Sequence, residues 1–279
     1  MRERPHDPLT GRLGKPLISI VAWSVLAFLV LPILVVVPLS LTSGTLLTYP
    51  LPGLSLRWYA EFLGNPVWLA ATRNSLALAT GVTLVATPLG TLAAFGLVRP
   101  EFPLRQPVTA LLLTPLLVPL IIVAVASFLA FSRVGLSGGY LSLLLAHTAL
   151  ALPLVVITVL ASLRTLDPWL ERAAATLGAM PAQTFRRITL PLILPGVASG
   201  ALFAFVTSFD EVVVALFLGG PEFRTLPRQI WSGVRESITP TVTAAAVLLV
   251  LLSLLAMAAV EHMRRQAERS RMAGIGGAP

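Results

Sequence analysis

Six stretches of this chain are each long and apolar enough to cross a bilayer as a helix, and nothing else in the sequence constrains the fold as strongly. They are residues 18–41, 74–98, 108–131, 140–163, 192–218 and 241–261. A spanning helix needs about 20 mostly apolar residues, since the hydrocarbon core is about 30 Å thick and each residue rises about 1.5 Å. Composition agrees: of 279 residues, 56% are hydrophobic and 11% charged, whereas a soluble domain carries about 25% charged residues. The predicted fold class is all-α, a polytopic membrane protein with six transmembrane helices. The first stretch is too long for the apolar region of a signal peptide and no A-x-A site follows it, so it reads as a retained signal anchor. Pro32, Pro38, Pro88, Pro115, Pro119 and Pro153 fall inside spans; neighbouring helices re-satisfy the backbone groups that such prolines free.

Loop charges predict the orientation. With the N-terminus in the cytoplasm, 14 Lys and Arg residues lie inside, from Arg2, Arg4, Arg12 and Lys15 to Arg264, Arg265, Arg269 and Arg271. Six lie outside: Arg57, Arg73, Arg133, Arg224, Arg228 and Arg235. The excess of cations on one side predicts both termini in the cytoplasm. The net charge of +8 is then mostly a cytoplasmic collar and calls for no nucleic-acid partner. The expected organisation is an N-terminal tail over 1–17, a six-span domain over 18–263 with an inner loop at 164–191, and a short mobile tail over 264–279.

Several chemistries are excluded. There is no cysteine, and His6, His147 and His262 are too scattered for an H-E-x-x-H site. Lys15, the sole lysine, precedes Pro16, so the chain has no G-x-x-x-x-G-K-[ST] phosphate loop. If ATP drives this protein, another chain binds it. No catalytic residue, metal ligand or cofactor is expected on this chain. His147 reads as a packing residue. Trp23, Trp58, Trp68, Trp169 and Trp231 stand near span ends or in loops, which suits interfacial anchoring.

The inner loop between the fourth and fifth spans has a legible local structure. Asp167 is a good N-cap, Pro168 suits the first helical position, and Glu171 in the first turn complements the helix dipole. The alanine run Ala173, Ala174, Ala175 favours helix, and Gly178 is placed as its stop. Pro181 then opens a second short helix through Arg186 and Arg187. The small residues leave a shallow knob suited to a groove on another protein; an ordinary amphipathic interface helix has the same features.

The spacing Ala173-Ala174-x3-Gly178-x9-Ile188-x-Leu190-Pro191 resembles the E-A-A-x3-G-x9-I-x-L-P loop of ABC-importer permeases. Six of its seven specified positions match; Arg172 stands at the position of the motif Glu, with Glu171 one residue earlier. Further on, Ser208-Phe209-Asp210-Glu211-Val212-Val213, Gly220-Pro221, Thr225-Leu226-Pro227, Ile230-Trp231-Ser232 and Ile238-Thr239-Pro240 resemble the C-subunit branch of the spermidine/putrescine-type permeases. The resemblance implies a type I ABC-importer permease fold in a bacterial inner membrane, with a coupling helix that docks on an ATPase. It implies three kinds of partner besides the bilayer: ABC ATPase subunits that bind ATP and Mg²⁺, a second permease subunit in a heterodimer, and an extracytoplasmic solute-binding protein. Glu171, Arg172, Ala173, Ala174, Gly178, Ile188, Leu190 and Pro191 would then serve ATPase coupling.

Charged residues inside spans are costly and mark functional hypotheses. The fifth stretch holds two, Asp210 and Glu211. Taken as one continuous helix, it places Glu211 about 20° from Ala204, on the stripe of Gly196, Gly200 and Ala204 that suits close helix approach. Asp210 lies about 100° away. The pair reads either as a station for a cationic solute or as a structural pair satisfied by an Arg or a backbone donor. The expectation is a pathway role for Asp210 and an assembly role for Glu211. The rival functions are a secondary, ion-coupled transporter, an ABC permease for iron, sulfate, an amino acid or a sugar derivative, and an integral-membrane enzyme. The sequence pattern shows neither the broken helices nor the paired repeats usual in secondary carriers.

Overall fold

The computed structural model describes residues 8–99, 102–136 and 138–275. Arg2, Arg4 and His6 lie outside the described residues, as does the end of the C-terminal tail. In chain order come α1 (Pro8–Ser40), α2 (Arg57–Gly64), α3 (Pro66–Val98), α4 (Arg105–Leu117), α5 (Leu120–Arg133) and α6 (Tyr140–Arg164). Then follow α7 (Pro168–Thr176), α8 (Pro181–Thr184), a π-helical turn (Phe185–Thr189), α9 (Leu190–Phe209), α10 (Val213–Leu218), α11 (Leu226–Glu236) and α12 (Pro240–Ile275). Among the described residues the sole extended pairing is an isolated bridge between Thr42 and Leu54. Among the described residues five helices are long and apolar enough to cross a membrane, and α4 with α5 makes a sixth crossing if the bent pair is one span.

The centre of the bundle is α3, α6 and α9, packed on one another through small residues. Ala86, Gly90 and Ala94 of α3 are all buried. A Cβ at Gly196 of α9 would collide with the Ser162 side chain of α6, and one at Gly200 would stand 2.8 Å from Thr158 Oγ1. Glycine there lets the two backbones approach, which is how helices gain dispersion contact where lipid offers no hydrophobic drive. Large side chains point the other way: Phe28, Leu84 and Leu117 are largely exposed, as a lipid-facing surface requires. The first span has none of its apolar window buried and packs at the side, against α12.

The end of the bundle opposite α7 is closed by α2, α11 and the segment after α1. Trp58 Nε1 donates to Thr42 O at 2.8 Å, and Tyr59 Oη shares a 2.6 Å hydrogen bond with Ser40 Oγ. Leu226 N donates to Ser75 Oγ at 2.7 Å, pinning α11 to α3. Arg228 Nη1 donates to Gly219 O and Gly220 O at 2.7 and 2.8 Å; burial, with Arg224 beside it, lowers this guanidinium below its usual value. Trp58 and Trp68 are buried, Trp68 beside Phe62 with ring centroids 5.6 Å apart. For these two tryptophans the expected interfacial anchoring gives way to core packing.

Other expectations need correction. The predicted third span is two helices meeting at 107°. Pro119 lacks an amide donor and pushes Val118 out of helical geometry, to ψ 134°. The predicted fifth span, 192–218, starts earlier and breaks after Phe209, before α10 begins at Val213. The second span starts at Pro66, capped by Asn65, whose Oδ1 accepts from Val67 N at 2.9 Å. The helix of the last span runs on past Arg264 to Ile275, where a mobile tail was expected. Broken helices are therefore present, and their supposed absence no longer counts against an ion-coupled carrier.

Candidate functional site

Two places carry the polar chemistry, one at each end of α9. At the near end, α7 is built as its sequence dictates. Asp167 Oδ1 accepts from Trp169 N at 3.0 Å, and Pro168 occupies the first turn. The helix ends in a Schellman turn: Ala179 N donates to Ala174 O and Gly178 N to Ala175 O, both at 3.0 Å, with Gly178 at φ 80°. Met180 N then donates to Gln183 Oε1 at 3.2 Å, starting α8. The second short helix is continuous with the fifth span through the π turn, and Arg186 and Arg187 sit exposed in that turn.

The candidate coupling residues divide into two groups. Glu171, Arg172, Ala173 and Gly178 are exposed, alongside Trp169, Leu170 and Leu177, the last to 89%. Arg172 lays its guanidinium over the Trp169 ring, 4.8 Å from the centroid. Ala174 is only 5% exposed within this chain, so it packs inward, against the expectation that it meets another protein's groove. The reason is helical phase: the stripe that rests on α8 and the π turn must use the smallest side chain. Ile188 lines a cavity of about 370 Å³ under α7 with Phe95, Arg99 and Glu171. Leu190 packs on the core, and Pro191 sits in the first turn of α9. Glu171 Oε1 accepts from Thr189 Oγ1 at 3.0 Å.

At the far end of α9 the helix stops at Phe209, so Glu211 does not share a helical face with Ala204 as it would on a continuous helix. The angular argument from a continuous helix fails. Glu211 caps the helix that follows the break: its Oε1 accepts from Val214 N at 2.8 Å and its Oε2 from Ala215 N at 3.1 Å. A carboxylate there satisfies the free amides of α10. Glu211 is 7% exposed. His147 of α6 reaches the same point. Its Nδ1 shares a hydrogen bond with Ser208 Oγ at 3.0 Å, and its Nε2 stands 3.4 Å from Glu211 Oε2, within ion-pair range but without hydrogen-bond geometry. Asp210 N donates to Val206 O at 3.0 Å, closing α9, while the Asp210 residue is exposed at the break. His147, Ser208 and Thr189 join the site although the sequence singled out none of them for it. The one available signal was a lone histidine in an otherwise apolar span.

The described residues thus form a membrane-type helical bundle with one break between α4 and α5 and another after α9, a helical knob at one end of α9 and two acids at the other. Residues 86–269 match the family described as "Binding-protein-dependent transport system inner membrane component", and the chain belongs to that family. It is 37% identical over 232 residues to the spermidine/putrescine transport system permease protein PotC of Haemophilus influenzae, covering 82% of this chain and 89% of that one. It is 36% identical over 229 residues to the putrescine transport system permease protein PotI of Escherichia coli, covering 80% of this chain and 81% of that one. The molybdenum transport system permease protein ModB of Mycobacterium bovis is 33% identical over 227 residues, 75% of this chain and 85% of that one. Among solved structures, a bacterial ABC transporter that imports the polysaccharide alginate superposes with a TM-score of 0.71 over 92% of this chain and 96% of that one. At 19% identity that likeness speaks for the fold alone.

Proposed function

We propose that this chain is a membrane-spanning permease subunit of an ATP-driven importer for a polyamine of the spermidine or putrescine kind. The observation that carries the substrate is the 37% identity to a spermidine/putrescine permease over most of both chains. Asp210 adds a physical reason. A carboxylate left exposed at a break inside an apolar bundle is costly against lipid, so its face belongs to a water-filled path or a partner chain. A fixed anion on such a path attracts a polycation and repels an oxyanion, which separates this reading from that of a molybdenum-type relative.

In this reading the α7 end lies in the cytoplasm with both termini, and the exposed face of α7 docks on an ABC ATPase. The ATPase pair holds ATP and Mg²⁺ and does the hydrolysis; this chain contributes no catalytic residue, cofactor or metal. A second permease subunit completes the path, and an extracytoplasmic binding protein delivers the solute. Glu211, His147 and Ser208 hold the break that presents Asp210. The test is uptake of labelled spermidine by cells that lack their own polyamine uptake and are supplied with this chain and its partners. Uptake that unlabelled putrescine suppresses, and molybdate, sulfate or amino acids do not, is the expected result. Suppression by an oxyanion instead would reassign the substrate.

A further inference from the structure

The helix α7 is joined to α9 by the chain itself, which turns at Gly178 and returns through α8 and the π turn. Gly178 lies at the far end of α7 from Glu171. Among the described residues a single side-chain hydrogen bond ties α7 to the membrane helices: Thr189 Oγ1 to Glu171 Oε1, 3.0 Å, across 18 positions of sequence. Glu171 stands in the first turn of α7, and Thr189, 1% exposed, closes the π turn at the root of α9. The cavity of about 370 Å³ beside this bond is lined by Phe95, Leu163, Leu170, Glu171, Ile188 and Leu192. Apolar packing therefore leaves the Glu171 end of α7 partly unsupported, and the hydrogen bond spans the gap.

Two rods hinged at one end splay when one is pushed; a link near their other ends makes them move together. Here the rods are α7 and the α8–π segment, the hinge is the glycine turn, and the link is Glu171–Thr189. The Glu171 end of α7 is also joined to α6 through residues 165–167, with Leu166 packed on the core, and the hydrogen bond is what joins it to the π turn. The root is anchored in turn: Phe185 meets Phe95 of α3 edge-on, with centroids 5.0 Å apart. A π turn holds one residue more per turn than its neighbours and often marks a functional site. From Thr189 the single helix α9 runs about 30 Å to the break at Asp210. Arg172, at the motif position, lays its guanidinium over Trp169 and lines the same cavity, and among the described residues no hydrogen bond joins it to Thr189.

We infer that Glu171 is a positioning residue for energy coupling, tying α7 to Thr189 so that a displacement of α7 is delivered to α9 rather than lost at the Gly178 turn. This rests on the reading above, in which a partner ATPase moves α7. Its signature is loose coupling: hydrolysis persists while solute moved per ATP falls. A merely structural role would lower the amount of complex and leave that ratio alone.

The complete complex, reconstituted in vesicles with its binding protein, is assayed for labelled spermidine imported per ATP hydrolysed. Thr189→Val keeps the shape and removes the donor; Thr189→Ser keeps the donor. A hydrogen bond to a charged group is strong enough that the ratio should fall about threefold or more in Thr189→Val. Glu171→Ala should match it, and Thr189→Ser should stay near wild type. An unchanged ratio in Thr189→Val overturns the inference. So does Thr189→Val failing to assemble where Thr189→Ser assembles, since the bond would then serve assembly. A wild-type complex that imports spermidine without hydrolysing ATP would instead strike the proposed function itself.

Discussion

At the scale of single residues, the two acids of the fifth span have different surroundings and should answer differently to the same isosteric change. Glu211 accepts two backbone amides with both oxygens while buried beside His147. Glu211→Gln leaves one amide of α10 facing an NH₂ group, and the cost of a buried unmatched donor is about 1–3 kcal/mol. Thermal unfolding of the purified complex should shift downward and less complex should be recovered. Asp210 is exposed and binds nothing through its side chain among the hydrogen bonds of the described residues. Asp210→Asn should leave assembly intact and slow polyamine uptake per complex; equal uptake per complex would remove Asp210 from the path. The presence of two acids in an apolar stretch is plain in the sequence. Their separation into buried and exposed is not, because 208–214 contains no proline or glycine to announce a break. The break coincides with a local contact, Glu211 accepting from amides three and four residues on, which a reading of the apolar run as one helix does not register.

At the scale of elements, α7 is the part most fully written in the sequence, since cap, first-turn proline, alanine run and glycine stop all agree. Gly178 sits at φ 80° with open space around its Cβ position, so substitution there strains the backbone without a clash. Gly178→Ala should cost about 1–2 kcal/mol in the turn and reduce the ATPase recovered with the permease in affinity purification. Recovery at the wild-type ratio would mean that the turn is not what presents α7. Ala174→Trp should disturb α7 by unseating it from α8 and the π turn, because Ala174 faces inward. Ala173→Trp, on the exposed face, should leave the isolated chain folded and block docking. Measuring chain stability and ATPase recovery for both separates the two faces. The inward turn of Ala174 was not legible because motif spacing fixes which residues recur, not the phase of the helix on its support. The bend at Val118–Pro119 was legible in part: Pro115 and Pro119 are visible, but hydropathy runs unbroken across them.

At the scale of the whole molecule, the count and order of spans followed from hydropathy, and their partners did not. The stripe Gly196, Gly200 and Ala204 marks α9 as a close-packing helix, and its glycines meet α6 in the core. The Lys and Arg asymmetry predicts that reporters fused after Arg105 and Gly178 lie in the cytoplasm and those after Arg57 and Arg228 outside. A reporter after Gly178 found outside would separate α7 from any cytoplasmic ATPase. The most direct measurement of the account is energy dependence in vesicles that contain the assembled complex, with binding protein and labelled spermidine outside. Accumulation should require ATP on the α7 side of the membrane and survive collapse of the ion gradients. Accumulation driven by an imposed ion gradient in the absence of ATP would contradict the account and make the broken helices those of an ion-coupled carrier.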